Sequence, residues 1–275
     1  MNPTGLIRST PFFATYYLAD LMQQLLEDTL GAAVIWTDTI AEIAEEAVGQ
    51  GFTMDTVLHQ FIRAVTDREL YLFDSQTFVS REEWWVRSQL NNVPESDRST
   101  ILWAELALRR HGLPFERFDG WAKDEAERDE DLVHDWYEDL RLSDSYDKLI
   151  NAMAEEVFHV LFANRSILFG LNEWIAWRIG NDNLGPVVRE RPPTWAKRAV
   201  FYRDRGRCCQ CGRDLSGLLS QIGIANFDHV VPLIVNGIND VTNLQLLCSE
   251  HNSQKAGRIV APSNSYEAWF HPDAL

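Results

Sequence analysis

The sequence predicts an α+β protein in two parts: a mostly α-helical N-terminal domain over residues 1–180 and a small mixed domain over 196–275, joined by a linker at 181–195. Apolar residues recur at three- and four-residue spacing through most of the first 180 positions, which is the mark of amphipathic helices. The texture breaks after Gly180, where GNDNLGPVVRERPPTW brings a polar start, Pro186 and the Pro192-Pro193 pair. All four cysteines, Cys208, Cys209, Cys211 and Cys248, fall in the last quarter.

Taken in order, Thr10-Pro11 opens a first helix in which Phe13, Tyr17, Leu21 and Leu25 recur at helical spacing. Met54, Val57, Leu58, Phe61, Ile62 and Val65 repeat the pattern after Thr53. In ELYLFDSQTFVS the period shortens toward two, so a small hairpin is expected over residues 69–80. Ser80 and Glu83 form a capping box for a helix carrying Trp84 and Trp85. Further helices are expected at 96–111, ended by Gly112 and Pro114, and at 145–179, with a strongly acidic stretch at 123–147. A new helix starts near Pro193 and runs through Trp195 to Arg203. His59, His111, His134 and His159 are scattered singly and read as surface or satisfied core residues.

The chain carries 25 Lys/Arg against 41 Asp/Glu, a net charge of -16. Residues 196–275 hold eight basic and seven acidic side chains, for +1, which leaves 17 basic and 34 acidic, for -17, on the first 195. Five of those eight basic residues lie between Arg198 and Arg213, so a local positive surface is possible. Apolar runs are short and broken by charge, so neither a membrane span nor a signal peptide is expected. Disulfide frameworks spread their cysteines more widely. The clustering fits a metal site in a reducing, cytoplasmic setting.

Cys208 and Cys211 have the C-x-x-C spacing, and Cys248 and His251 repeat it further on. Two such knuckles supply the four soft or borderline ligands of a closed tetrahedral zinc site. No thioredoxin-like βαβ pattern surrounds the pair, which argues against a redox role. Cys209 is a spare thiol that would replace Cys208 in a tighter turn.

Between the knuckles, DHVVPL reads as a strand in which Asp228 and His229 interrupt valines, followed by a turn at 236–240, Asn243 with an apolar NLQLL, and a polar helix from Ser249. Over residues 193–258 this order resembles the HNH endonucleases, whose ββα-metal core is often braced by zinc. The resemblance implies that His229 is the general base, that Asp228 and Asn252 ligate a catalytic Mg²⁺ or Mn²⁺, and that Asn243 orients the loop or the ring. It also implies that Cys208, Cys211, Cys248 and His251 hold structural Zn²⁺. Lys255 and Arg258, on the same helix as Asn252, would sit near backbone phosphates. Two letters depart from the common pattern: Asn252 stands where His is usual, and His251 where Cys is commoner, so His251 could itself be the catalytic ligand.

The expected function is metal-dependent hydrolysis of DNA phosphodiesters, by nicking or double-strand cleavage. A non-catalytic zinc module that binds nucleic acid or protein, and an RNA-directed nuclease, are the competing readings. The acidic N-terminal part is expected to bind a protein partner or a second copy and to restrain the nuclease. By analogy of domain arrangement, that places the chain among antiphage or restriction effectors.

Overall fold

The computed structural model describes residues 13–27, 29–75, 102–118, 130–217 and 225–263. Eight helices precede the strands among these residues: α1 Thr15–Glu27, α2 Thr29–Gly49, α3 Val57–Ser75, α4 Trp103–Arg110, α5 Glu130–Arg141, α6 Asp144–Leu161, α7 Arg165–Asn181 and α8 Thr194–Arg203. A two-stranded sheet follows, β1 Asn226–His229 and β2 Leu244–Leu247, and then a short helix, α9 Ser249–Lys255. No described helix is long and apolar enough to cross a membrane.

Contacts divide the chain into two units that are not consecutive halves. One comprises residues 1–20 and 62–157, the other residues 21–61 and 158–275. The linker expected at 181–195 lies within the second unit.

In the first unit, buried carboxylates tie helix ends together. Asp74 is fully buried and accepts the Trp103 and Ala104 N–H groups that open α4, at 2.6 and 3.0 Å, together with the Tyr137 hydroxyl at 2.7 Å. Glu105 reaches back to the Leu102 N–H and across to the Phe118 N–H, and burial raises its pKa despite these bonds. Arg141 grips Asp67 through two bonds of 3.0 Å, and Tyr146 donates to the same carboxylate at 2.6 Å. These polar groups are spent on structure.

Several helices differ from expectation for visible reasons. Ala14 has a positive φ of 54°, so Phe13 lies off the helix and the buried face of α1 is Leu18, Ala19, Met22 and Leu26. The hairpin expected from residue 69 is helix through Ser75: Thr66, Leu70, Phe73 and Asp74 are buried at helical, not alternating, spacing. The rest of that stretch, the Ser80–Glu83 capping box and the Thr10-Pro11 start lie outside the described residues. The long helix expected at 145–179 is two, because the Asn164 side chain caps a new start by accepting the Ser166 and Ile167 N–H groups at 3.1 and 3.3 Å. Residues 103–110 of the expected 96–111 helix form α4, and Gly112 turns the chain there with φ 66°.

In the second unit α2 packs along α7; Ile40, Ile43 and Ala47 of the one and Ile167, Leu171 and Ile175 of the other are all buried. α8 starts after Pro193 and lays Ala196 and Val200, both fully buried, on β2. Its end is pinned to the strand: Asp204 accepts two bonds from Arg203 and one from the Leu246 N–H at 2.9 Å. Cys209, Leu215, Leu244 and Leu246 complete this core, with Phe52 and Phe162 packed against it.

Candidate metal and base sites

The first cluster is built by two turns. Cys208 to Cys211 form one of them, closed by Gly212 N–H donating to the Cys208 carbonyl at 2.8 Å, with Gly212 at φ 69°. Cys248 caps α9, its sulfur accepting the His251 N–H at 3.5 Å. The His251 Nδ1 then lies 3.2 Å from the Cys248 sulfur and 3.6 Å from that of Cys208. The ligand atoms of Cys208, Cys211, Cys248 and His251 all fall within 4.8 Å of one another. Three thiols and an imidazole so gathered could hold zinc, with no place left for a substrate. Burial pushes the Cys208 thiol up, but backbone N–H groups of Cys248, Gln210 and Cys211 overcome it and bring the thiol down to about 7. Cys209 is different. It is 1% exposed in the apolar core, its N–H bonds the Leu246 carbonyl, and burial beside Asp204 pushes its thiol up to about 12.

The second cluster grows from the antiparallel pairing of β1 with β2, in which Asp228 faces Gln245 and His229 faces Leu244. Neighbours on a strand point to opposite faces, so Asp228 and His229 leave the sheet on different sides. His229 is 7% exposed, with the Phe52 ring centroid 6.5 Å from its own. Its Nε2 has no hydrogen-bond partner. Burial, aided by the nearby cations Arg189 and Lys255 and opposed by Asp228 and the Asn239 side chain, lowers the imidazole pKa to about 4. The ring is therefore neutral near pH 7 and has a lone pair to give.

Asn243, fully buried, clamps the connection between the strands. Its amide donates to the carbonyls of Val231 at 3.0 Å and Ile238 at 2.9 Å, and its oxygen accepts the Val231 N–H at 2.8 Å. Next to it, Asp240 accepts the Thr242 N–H at 2.8 Å and, with its other oxygen, the Val57 N–H at the start of α3 at 3.1 Å. Thr56 and His59 close the same helix start reciprocally, Thr56 N–H to His59 Nδ1 at 3.2 Å and His59 N–H to the Thr56 hydroxyl at 3.3 Å. His59 thereby has a structural part at this helix start through its Nδ1, and its ring stacks on Phe158 at 3.9 Å.

Lys255, expected at the phosphate backbone, is instead buried at 3% exposure. Its ammonium donates to the His229 carbonyl at 2.8 Å and forms an ion pair with Asp228 Oδ2 at 2.9 Å. This cross-link seats α9 against the end of β1. Asn252 lies three residues earlier, on the same face of the helix and half-buried. Arg258 is exposed, and its guanidinium bends back to the Gln254 and Lys255 carbonyls that end α9.

Asn239, Arg189 and Phe52 were not legible as site residues. Asn239 lies inside NGIND, which reads as a turn, and Arg189 inside a segment that reads as a spacer. Only the fold brings them to His229.

Residues 208–258 match the family model described as HNH endonuclease, so the C-terminal segment is an HNH domain. No curated protein and no solved structure matches the chain.

Proposed function

We propose that the HNH domain is a metal-dependent endonuclease that hydrolyses DNA phosphodiester bonds, with His229 as its general base. The observation that carries this is a buried, neutral imidazole whose Nε2 has no partner, beside a carboxylate on a short strand. Unlike His59, whose ring closes a helix start through Nδ1 and stacks on Phe158, His229 lies inside the segment matched to the HNH family. A neutral ring with an open nitrogen can take a proton from a water.

Around it each residue has a part. Asn243 fixes the loop that follows the base, and Lys255 fixes the base's own carbonyl. Asp228 and Asn252 offer the carboxylate and amide oxygens that suit a hard divalent cation such as Mg²⁺ or Mn²⁺, and they would hold it. That ion, when bound, supplies positive charge against the phosphate and the departing 3′-oxygen. The donor chemistry fits a hard cation: Asp228 is 24% exposed, and since its Oδ2 pairs with the Lys255 ammonium at 2.9 Å, the ion would be taken by its other oxygen. Zn²⁺ held by Cys208, Cys211, Cys248 and His251 would brace the start of α9, the helix that carries Asn252.

The acidic N-terminal part, we further propose, binds a protein partner or a second copy and restrains cleavage. Support comes from its excess of 17 negative charges, which repels a polyanion. An effector role in antiphage defence or restriction would accord with such a device.

The substrate is tested by competition. Duplex DNA and RNA of one sequence, differently labelled, are incubated together with the protein in Mg²⁺, in Mn²⁺ and in EDTA. DNA cut only in the presence of metal, with RNA untouched, is the expected result; preferential loss of RNA would move the substrate class.

A further inference from the structure

The basic residue expected beside the scissile phosphate, Lys255, is buried in an internal cross-link, and Arg258 is turned back onto its own helix end. A phosphodiester presented to His229 still requires a cation. The segment ahead of α8 supplies one. Asn239, 4% exposed, fastens its side-chain amide to the two peptide groups that flank residue 189: Nδ2 donates to the Val188 carbonyl at 2.7 Å, and Oδ1 accepts the Glu190 N–H at 3.3 Å. The buried Val187 anchors the same segment on its other side. Arg189 is thus exposed on a backbone that is held in place.

Two features suit it to a ligand. Arg141, Arg178, Arg203 and Arg213 each have a carboxylate in ion-pair range, whereas among the described residues Arg189 has none. The neighbouring Glu190 does not neutralise it, because its carboxylate lies against Gly51, where any Cβ would overlap it. Arg189 also lies near enough to His229 for its charge to act on the imidazole.

We propose that Arg189 binds the backbone phosphate presented to His229, in the part expected of Lys255. Its planar fork of donors matches two phosphate oxygens, and its charge is permanent. This rests on the nuclease reading and names the group in that site which grips the substrate.

The test uses the full chain and its Arg189→Ala, Arg189→Lys, Arg258→Ala and His229→Ala variants. Binding of a short fluorescent duplex is followed in EDTA across a salt series, alongside zinc content, thermal midpoint and nicking in Mn²⁺. Arg189→Ala is expected to lower duplex affinity by about ten-fold. The slope of log K against log salt should shrink by about 0.9, the signature of one lost phosphate contact, while zinc content and midpoint stay at wild-type values. Arg189→Lys should restore the slope but only part of the nicking rate, because an ammonium cannot make the bidentate contact. An Arg189→Ala protein with wild-type slope, affinity and nicking overturns the proposal, as does a wild type that binds no duplex. If the slope depends on Arg189 but no variant and no wild type nicks DNA, the phosphate site stands and the hydrolase reading falls. If nicking depends on His229 but neither nicking nor slope depends on Arg189, the reverse holds.

Discussion

Burial decides what each polar residue of the site can do. His229 is pushed from the ordinary 6.5 to about 4, so the folded protein resists the protonation that the unfolded chain accepts. Stability from this group is present above pH 6.5 and is lost as pH falls toward 4, by a total on the order of 3 kcal/mol. Denaturant titrations of wild type and His229→Asn at several pH values should show a steeper acid loss for wild type; parallel curves would contradict the shift. Lys255→Met strips Asp228 of its ion pair and leaves the His229 carbonyl without a donor, which should cost about 2–3 kcal/mol, less than a fully buried pair because Asp228 is partly exposed. The salt slope of DNA binding should not change, since Lys255 does not face solvent. At this scale the sequence was half informative. Asp228, His229, Asn243 and Asn252 stand at motif spacing and were readable. That Lys255 turns inward, and that Asn239 grips the chain on both sides of Arg189, depends on partners far away in sequence.

The elements around the site owe their ends to side chains rather than to propensity. Cys248 caps α9 and offers a sulfur to the metal cluster, so Cys248→Ser loses both the ligand set and part of the helix start. Metal analysis should find one zinc per wild-type chain and substantially less in Cys248→Ser, with a lowered thermal midpoint. Cys209→Ala should keep its zinc and lose only about 1 kcal/mol, because that thiol packs in the core. Equal zinc loss in the two variants would mean that the turn presents the wrong sulfur. The knuckles and β2 were legible, since ligand spacing and a motif order survive any packing, but the strand expected from DHVVPL ends at His229, and the chain after it passes into a short 3-10 turn at Leu233–Val235. The capping of α7 by Asn164 was not, because a lone Asn inside an apolar periodicity gives no warning that the helix restarts there. The supposed hairpin failed for a related reason: ELYLFD alternates locally, but its buried partners recur every three or four residues.

For the whole molecule, the stretch at 181–195 falls within the second contact unit. The second unit takes in Phe52, the Val57 N–H that bonds Asp240, and Asn172, which donates to Thr242 at 3.2 Å. A fragment of residues 190–275 lacks all three, along with the Val188 carbonyl, and is expected to fold poorly, with broad amide spectra and a low midpoint. Restraint by the acidic part is better probed in the full chain. Replacing Asp124, Glu125, Glu127, Asp129, Glu130 and Asp131 by their amides should speed nicking several-fold; an unchanged rate would remove the proposed restraint. The central claim is that His229 acts as the base of a metal-dependent nuclease. Plasmid nicking by wild type and His229→Ala, side by side in Mg²⁺, Mn²⁺ and EDTA, tests it most directly. Metal-dependent nicking that falls by about 10²–10⁴-fold in the variant, with zinc content intact, is the expected result. Nicking that survives in His229→Ala at the wild-type rate would contradict it.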